Sequence, residues 1–117
     1  MFNSISIIGC GLIGSSILRA ITSKNLAKEI KVFDRSKEVV AYLKKENICT
    51  NVFSDICQCV VNSDLIIIAT PLSSYKEIIL SIKDSLKKNV ILTDTGSVKK
   101  EVMKIIHNIN LKDVHWI

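Results

Sequence analysis

The stretch SISIIGCGLIGSS, residues 4–16, decides the fold. A short β-branched run (Ile5, Ile7, Ile8) ends on Gly9, and apolar residues at helical spacing (Ile13, Ile17, Ala20, Ile21) follow from Leu12. Between them stands Gly9-Cys10-Gly11-Leu12-Ile13-Gly14, a G-x-G-x-x-G pattern that leaves a strand and opens a helix. In that context each glycine has a task. Gly9 permits the tight turn, Gly11 lets the backbone approach a pyrophosphate, and Gly14 lets the helix pack closely on the strand. The first amides of the helix, at Leu12 and Ile13, then face an anion with the helix dipole behind them.

Working outward, Asp34 ends a second predicted strand, residues 30–33, and lies 20 residues after Gly14. A carboxylate there accepts hydrogen bonds from the adenosine ribose hydroxyls and repels a 2′-phosphate, so NAD is favoured over NADP. Arg35 pulls the other way, because a guanidinium can pair with that phosphate. The simpler alternative is that the glycines only shape a turn and Asp34 caps the next helix.

The alternation continues along the chain. A helix is expected over residues 37–46, with Val39, Val40 and Leu43 inward and Asn47 as its stop. A weaker strand covers residues 48–53 and a short helix residues 54–61, capped by Ser54 or Asp55. Residues 64–69 contain the continuous run LIIIA, expected of a strand buried on both faces. Helical spacing returns at Tyr75, Ile78, Ile79, Ile82 and Leu86, then a strand at residues 90–93. A last helix carries Val98, Val102, Ile105, Ile106 and Ile109, and residues 114–117 begin another strand. Strand and helix repeated in this way predict an α/β fold: a doubly wound, Rossmann-like parallel sheet in the order 3-2-1-4-5-6, with helices on both faces in three layers. With no linker or repeat, residues 1–117 read as one dinucleotide-binding domain.

Two further clusters fall at carboxyl ends of strands, where such sheets bind ligands. Pro71 fixes the exit angle after the fourth strand and Thr70 lines the cofactor cleft; a plain strand-to-helix turn capped by Ser73 or Ser74 is the alternative. After the fifth strand, DTGSVK (residues 94–99) places Gly96 and Ser97 at the start of the last helix, with Lys99 and Lys100 nearby. Ser97 serves there as an N-cap, a substrate contact, or both.

Composition narrows the function classes. The chain has 117 residues, 48% hydrophobic and 23% charged, which excludes a disordered or fibrous protein. It carries four glycines and one proline, and all five are accounted for above. Isoleucine, lysine and asparagine, the abundant types, have AT-rich codons, which weakens the net charge of +5 as a pointer to a partner. The lysines occur singly and in pairs without interleaved aromatics, against nucleic-acid binding. No apolar run spans a bilayer and no basic residue precedes residues 5–18, so neither membrane insertion nor export is expected, and a cytoplasmic location is. The four cysteines include C-x-C but no C-x-x-C, and no histidine lies near it. They read as free, buried small hydrophobes and not as a metal site.

Taken together, IIGCGLIGSS (residues 7–16), IIIATP (66–71) and TDTGSVK (93–99) resemble the prephenate/arogenate dehydrogenase family of tyrosine biosynthesis. The likeness runs through the whole chain, and DTGSVK is its most specific part. The resemblance implies NAD-dependent oxidative decarboxylation of prephenate to 4-hydroxyphenylpyruvate, or of arogenate to tyrosine. It implies that Ser97 hydrogen-bonds near the substrate's ring hydroxyl and the nicotinamide. In this family the general base is a histidine in a G-x-H-P loop after the sixth strand, and a helical C-terminal domain completes the substrate site and the dimer. Both are expected outside these residues, so the chain is read as catalytically incomplete alone, with its end open to self-association. His115 precedes the loop's position and is not assigned as the base; His107 is expected to face solvent. The alternative function is a non-catalytic nucleotide-binding or regulatory module.

Overall fold

Parallel pairing joins six strands in the order β3-β2-β1-β4-β5-β6, the order expected from the alternation. The elements are β1 (Phe2–Ile8), α1 (Leu12–Lys24), β2 (Ala27–Phe33), α2 (Lys37–Lys45), β3 (Val52–Phe53) and α3 (Ile56–Val60), then β4 (Leu65–Ile68), α4 (Tyr75–Ile82), β5 (Val90–Asp94), α5 (Lys99–Ile109) and β6 (Val114–Trp116). Single 3-10 turns, Leu72–Ser74 and Lys83–Ser85, flank α4. The structure, a computed structural model, describes residues 2–49, 51–95, 99–109 and 113–117.

Strand alternation gives the sheet two apolar faces. Ile5, Ile7, Val32 and Ile67 pack with Leu18 and Ile21 of α1 and Leu43 of α2. On the other face Ile8, Ile66, Ile68 and Leu92 pack with Ile79 and Ile82 of α4 and Val102 of α5. Successive residues of β1 and β4 thus feed opposite cores, which explains why LIIIA carries no polar alternation. Truncating one of these buried isoleucines to alanine costs about 2–5 kcal/mol. Ser4 and Ser6 are the buried polar residues of β1, and Ser6 is the deeper. Its hydroxyl donates to the Cys59 carbonyl at 2.7 Å, so the buried polar atom is satisfied where α3 crosses the sheet.

At the amino ends of the strands the returns share one device. Asn25, Asn47, Asn62, Asn89 and Asp113 have φ of 56°, 55°, 61°, 65° and 54°, and one of them precedes each of β2 to β6. Left-handed backbone costs most residues about 1–2 kcal/mol, and asparagine and aspartate tolerate it best after glycine. After α1, the Leu26 amide donates to the Ile21 carbonyl and the Asn25 amide to Thr22, both at 3.2 Å. After α2, Ile48 donates to Leu43 at 3.0 Å and Asn47 to Lys44 at 3.2 Å, so both helices end in the same paired-bond stop.

The differences from expectation are local. The inward row of α1 is Gly14, Leu18 and Ile21; Ile13 and Ala20 face outward. The strand expected over residues 48–53 shortens to the two residues that pair with Val32 and Phe33. Asp55 caps α3 by accepting from the Cys57 and Gln58 amides, as one of the two candidates required. Cys10, Cys49 and Cys59 are buried and Cys57 half-buried, all as free thiols; burial pushes the Cys59 thiol up to about 12. Among the described residues no helix is long and apolar enough to cross a membrane, and no cluster of metal-ligating side chains occurs.

Candidate functional site

The glycine loop between β1 and α1 has the geometry its spacing requires. Gly9 has a φ of 91°, which a side chain would strain, and a Cβ there would stand 2.7 Å from Thr70 Cγ2. A Cβ on Gly14 would fall inside the van der Waals envelope of the Gly9 carbonyl oxygen, so the helix sits against the turn only because the side chain is missing. Gly11 differs from both. Nothing lies within 4 Å of a Cβ built on it, so its face of the loop borders open space. The first-turn amides of α1, at Leu12 and Ile13, have no acceptor within the helix and border that space.

Asp34, one residue past β2, braces this loop. Its Oδ2 accepts the Cys10 amide at 2.7 Å, and its Oδ1 accepts the Ser36 amide at 2.8 Å. The capping role for helix α2 falls to Ser36, whose hydroxyl accepts from the Val39 amide. The carboxylate therefore joins the glycine loop to the start of α2. Arg35 reaches from the same loop across to the turn after β4, where Nη2 donates to Ser74 Oγ at 3.2 Å. Ser74 makes no side-chain cap for α4, so its hydroxyl is spent on this cross-contact.

These residues enclose a cleft of about 380 Å³ at the carboxyl ends of β1, β2 and β4. Gly9, Gly11, Asp34, Arg35, Thr70 and Pro71 all line it. Pro71 leaves β4 with a φ of −59° and turns the chain into the 3-10 turn. Thr70 Oγ1 is buried without a hydrogen-bond partner among the described residues, which fits a site whose remaining polar partner is a ligand. Leu12 and Ile13 instead line a larger hollow of about 770 Å³ between α1 and α2, shared through Gly11. Size does not identify the site here: Gly9, Asp34, Arg35, Thr70 and Pro71 converge on the smaller cleft. Leu12 is 92% exposed, an apolar side chain held at the rim of the loop. Ser97 lies outside the described residues.

The cleft also has walls that sequence spacing did not single out: Ile56 from α3 and Glu77, Ile78 and Ser81 from α4. Glu77 stands in the first turn of α4, a helix read only from the spacing of its apolar residues. Cys10, inside the loop, stays neutral. Burial pushes its thiol up, the Ser15 hydroxyl opposes this, and the Asp34 charge adds to it. A neutral thiol leaves the loop's amides as the field an incoming anion meets. Neither histidine lines the cleft: His107 and His115 are both exposed, on α5 and β6. These residues can therefore hold a dinucleotide by shape, amides and one carboxylate, but place no imidazole beside it.

With that geometry in hand, the likeness to known proteins is specific. The sequence profile of the family described as NADP oxidoreductase, coenzyme F420-dependent, matches residues 4–97. A cyclohexadienyl dehydrogenase of Zymomonas mobilis is 35% identical over 108 residues, covering 92% of this chain and 37% of that protein. A prephenate dehydrogenase of Lactococcus lactis is 30% identical over 106 residues, covering 90% of this chain and 29% of its own length. The chain thus spans about a third of the curated relatives it matches. Among solved structures, a prephenate dehydrogenase from A. aeolicus in complex with hydroxyphenyl propionate and NAD+ superposes with a TM-score of 0.83, at 22% identity, over 97% of this chain and 40% of that one. A 3-hydroxyisobutyrate dehydrogenase of Mycobacterium tuberculosis gives the same TM-score at 13% identity, over 99% of this chain and 39% of that one, so the structural likeness establishes the fold. The chain belongs to the family described as NADP oxidoreductase, coenzyme F420-dependent, and its relatives include the cyclohexadienyl and prephenate dehydrogenases.

Proposed function

We propose that residues 1–117 act as one NAD-binding domain and form the cofactor half of a prephenate-type dehydrogenase. The observation that carries this reading is the convergence of Gly9, Gly11 and Asp34 on one cleft, with the Asp34 carboxylate 2.7 Å from the loop amide of Cys10. The open space over Gly11 accommodates a pyrophosphate, and the Leu12 and Ile13 amides supply its hydrogen bonds. Asp34 keeps lone pairs free for ribose hydroxyls, since each oxygen accepts one amide and has further capacity. Thr70 offers its buried hydroxyl from the opposite wall. When bound, NAD supplies a nicotinamide that takes a hydride from the substrate carbon bearing the hydroxyl while carbon dioxide departs.

The cofactor preference follows from charge. A carboxylate in contact with the ribose opposes a 2′-phosphate, and Arg35 is engaged by Ser74, so NAD is preferred although the family description names NADP. Ser97 is the residue of this chain proposed to contact the substrate, a small carboxylic acid of the prephenate or arogenate type. Neither His107 nor His115 is assigned as the base that takes the hydroxyl proton, since neither lines the cleft. Calorimetric titration tests the reading: NAD should bind at least tenfold more tightly than NADP. Equal affinity would remove the ribose role of Asp34, and absence of binding by both would remove the function. Turnover of prephenate with NAD by these 117 residues alone is expected to be absent.

A further inference from the structure

We propose that Glu77 reads the base of the bound dinucleotide, accepting a hydrogen bond from the exocyclic amino group of adenine. The proposal rests on the NAD reading above and extends it to a residue with no assigned role. Three observations carry it. Part of the cleft's lining is apolar: Phe33 at the end of β2, Ile56 from α3, and Ile78 from α4, the helix that carries Glu77. A flat heterocycle is the part of a dinucleotide that fits such walls. At the rim Arg35 is tied by its guanidinium to Ser74, 39 residues away, which holds a planar cation across the cleft from β2 to the turn after β4. A guanidinium in that place offers its face to an aromatic ring.

The third observation is Glu77 itself. Besides Asp34 and Arg35 it is the charged residue lining the cleft, and it forms no ion pair with any described residue, Arg35 included. Arg35 and Glu77 are thus opposite charges on one cleft that do not neutralise each other. A purine between them presents a π face to the cation and an amino edge to the carboxylate. Adenine carries two N–H donors on that edge, whereas a base lacking them would leave the carboxylate facing ring nitrogens or a carbonyl. Ser81, one turn further along α4, donates its hydroxyl to the Glu77 carbonyl at 2.8 Å and so keeps that hydroxyl off the Glu77 carboxylate. Glu77 also lies in the first turn of α4, where the helix dipole favours a negative charge. That effect acts on stability and is blind to the base, so the two roles separate experimentally.

The test compares NAD with its 1,N6-ethenoadenine analogue, whose exocyclic nitrogen is closed into a ring and carries no N–H. Both are titrated into the wild type and Glu77→Met, which keeps the length of the side chain and removes the acceptor. The wild type should prefer NAD by about tenfold or more, and Glu77→Met should lose most of that preference by weakening NAD alone. Thermal melting of each ligand-free protein records the dipole contribution. An unchanged preference in Glu77→Met, whatever its melting temperature, overturns the proposal while leaving NAD binding intact. Failure of the wild type to bind either dinucleotide overturns the NAD reading itself.

Discussion

Replacing Asp34 by alanine probes a fold role and a ligand role with one substitution. In the ligand-free chain the carboxylate accepts two backbone amides, from Cys10 at 2.7 Å and Ser36 at 2.8 Å. Hydrogen bonds to a charged acceptor contribute roughly 1.5–3 kcal/mol each, and a buried donor left unpaired loses most of that. Cys10 is 3% exposed, so its amide finds no replacement in water; Ser36 is half-buried, and its amide does. The sum for Asp34→Ala is therefore about 2–4 kcal/mol, most of it from the Cys10 amide. For a domain of this size that lowers Tm by roughly 8–16 °C. Asp34→Asn retains one acceptor and turns an N–H2 toward the other amide, so it should lose about half as much. Differential scanning calorimetry of the ligand-free proteins reads the first effect, and titration with NAD reads the second, an affinity loss of at least tenfold. A ligand-free Asp34→Ala protein melting within about 2 °C of the wild type would refute the bracing argument. Unchanged NAD affinity would refute the ribose assignment, and the two outcomes are independent.

Other substitutions divide by what their side chains would meet. Gly11→Ala should fold normally, because its Cβ meets nothing within 4 Å, yet weaken NAD by about tenfold or more as measured by titration. Gly14→Ala should instead lose about 3 kcal/mol or more in denaturant unfolding, since the Gly9 carbonyl occupies the space of its methyl group. Asp64 receives the Lys87 ammonium and the Asn3 and Ser4 amides, which hold its carboxyl below the ordinary carboxylate range. Its folded-state value is depressed, so its contribution is complete above the unfolded value near pH 4 and is lost as pH falls through the folded value. The Tm advantage of the wild type over Asp64→Asn, a few degrees at pH 7, should then shrink below about pH 4 in a pH series of melts. Asn25→Ala should cost about 1 kcal/mol by denaturant unfolding and Asn25→Gly close to nothing, because only the first opposes a φ of 56°.

The strand order was legible because it follows from alternation and handedness, neither of which depends on knowing contacts. The turn at Gly9 and the close packing at Gly14 were legible for a related reason: three glycines at fixed spacing after a strand leave few backbone solutions. On α1 the spacing of Ile13, Ile17, Ala20 and Ile21 marks a helix without fixing its inner row, which is Gly14, as the close approach to the strand requires, with Leu18 and Ile21. Ile13, one of the residues at that spacing, lines the outer hollow. Of the predicted strand over residues 48–53, Val52 and Phe53 are the two that pair with β2 at the sheet's edge. Other features depend on contacts between distant residues, which spacing does not encode. The Asp34 bond to Cys10 spans 24 residues and the Arg35 bond to Ser74 spans 39. Glu77 reached the cleft by the turn of α4, where its sequence neighbours mark it only as the polar face of a helix. The left-handed returns, by contrast, carry a mark in the sequence: an asparagine or aspartate one to five residues before each of β2 to β6, of which Asn47 alone reads as a helix stop from its spacing.

Those returns and the glycine loop occupy opposite ends of the same strands. At the amino ends the chain needs only a handedness, and asparagine or aspartate provides it at all five turns. At the carboxyl ends it needs room, which glycine alone provides. Selection can therefore act on the two ends separately. Changes at Asn25, Asn47, Asn62 or Asn89 alter how much folded protein persists, with the ligand surface untouched. Changes at Gly11, whose Cβ would meet nothing within 4 Å, are expected to alter what is bound with the fold untouched. Asp34 is the exception, because the carboxylate that holds the Cys10 and Ser36 amides is the one proposed to meet the ribose. A lineage changing its cofactor by replacing Asp34 would first have to find another acceptor for the Cys10 amide.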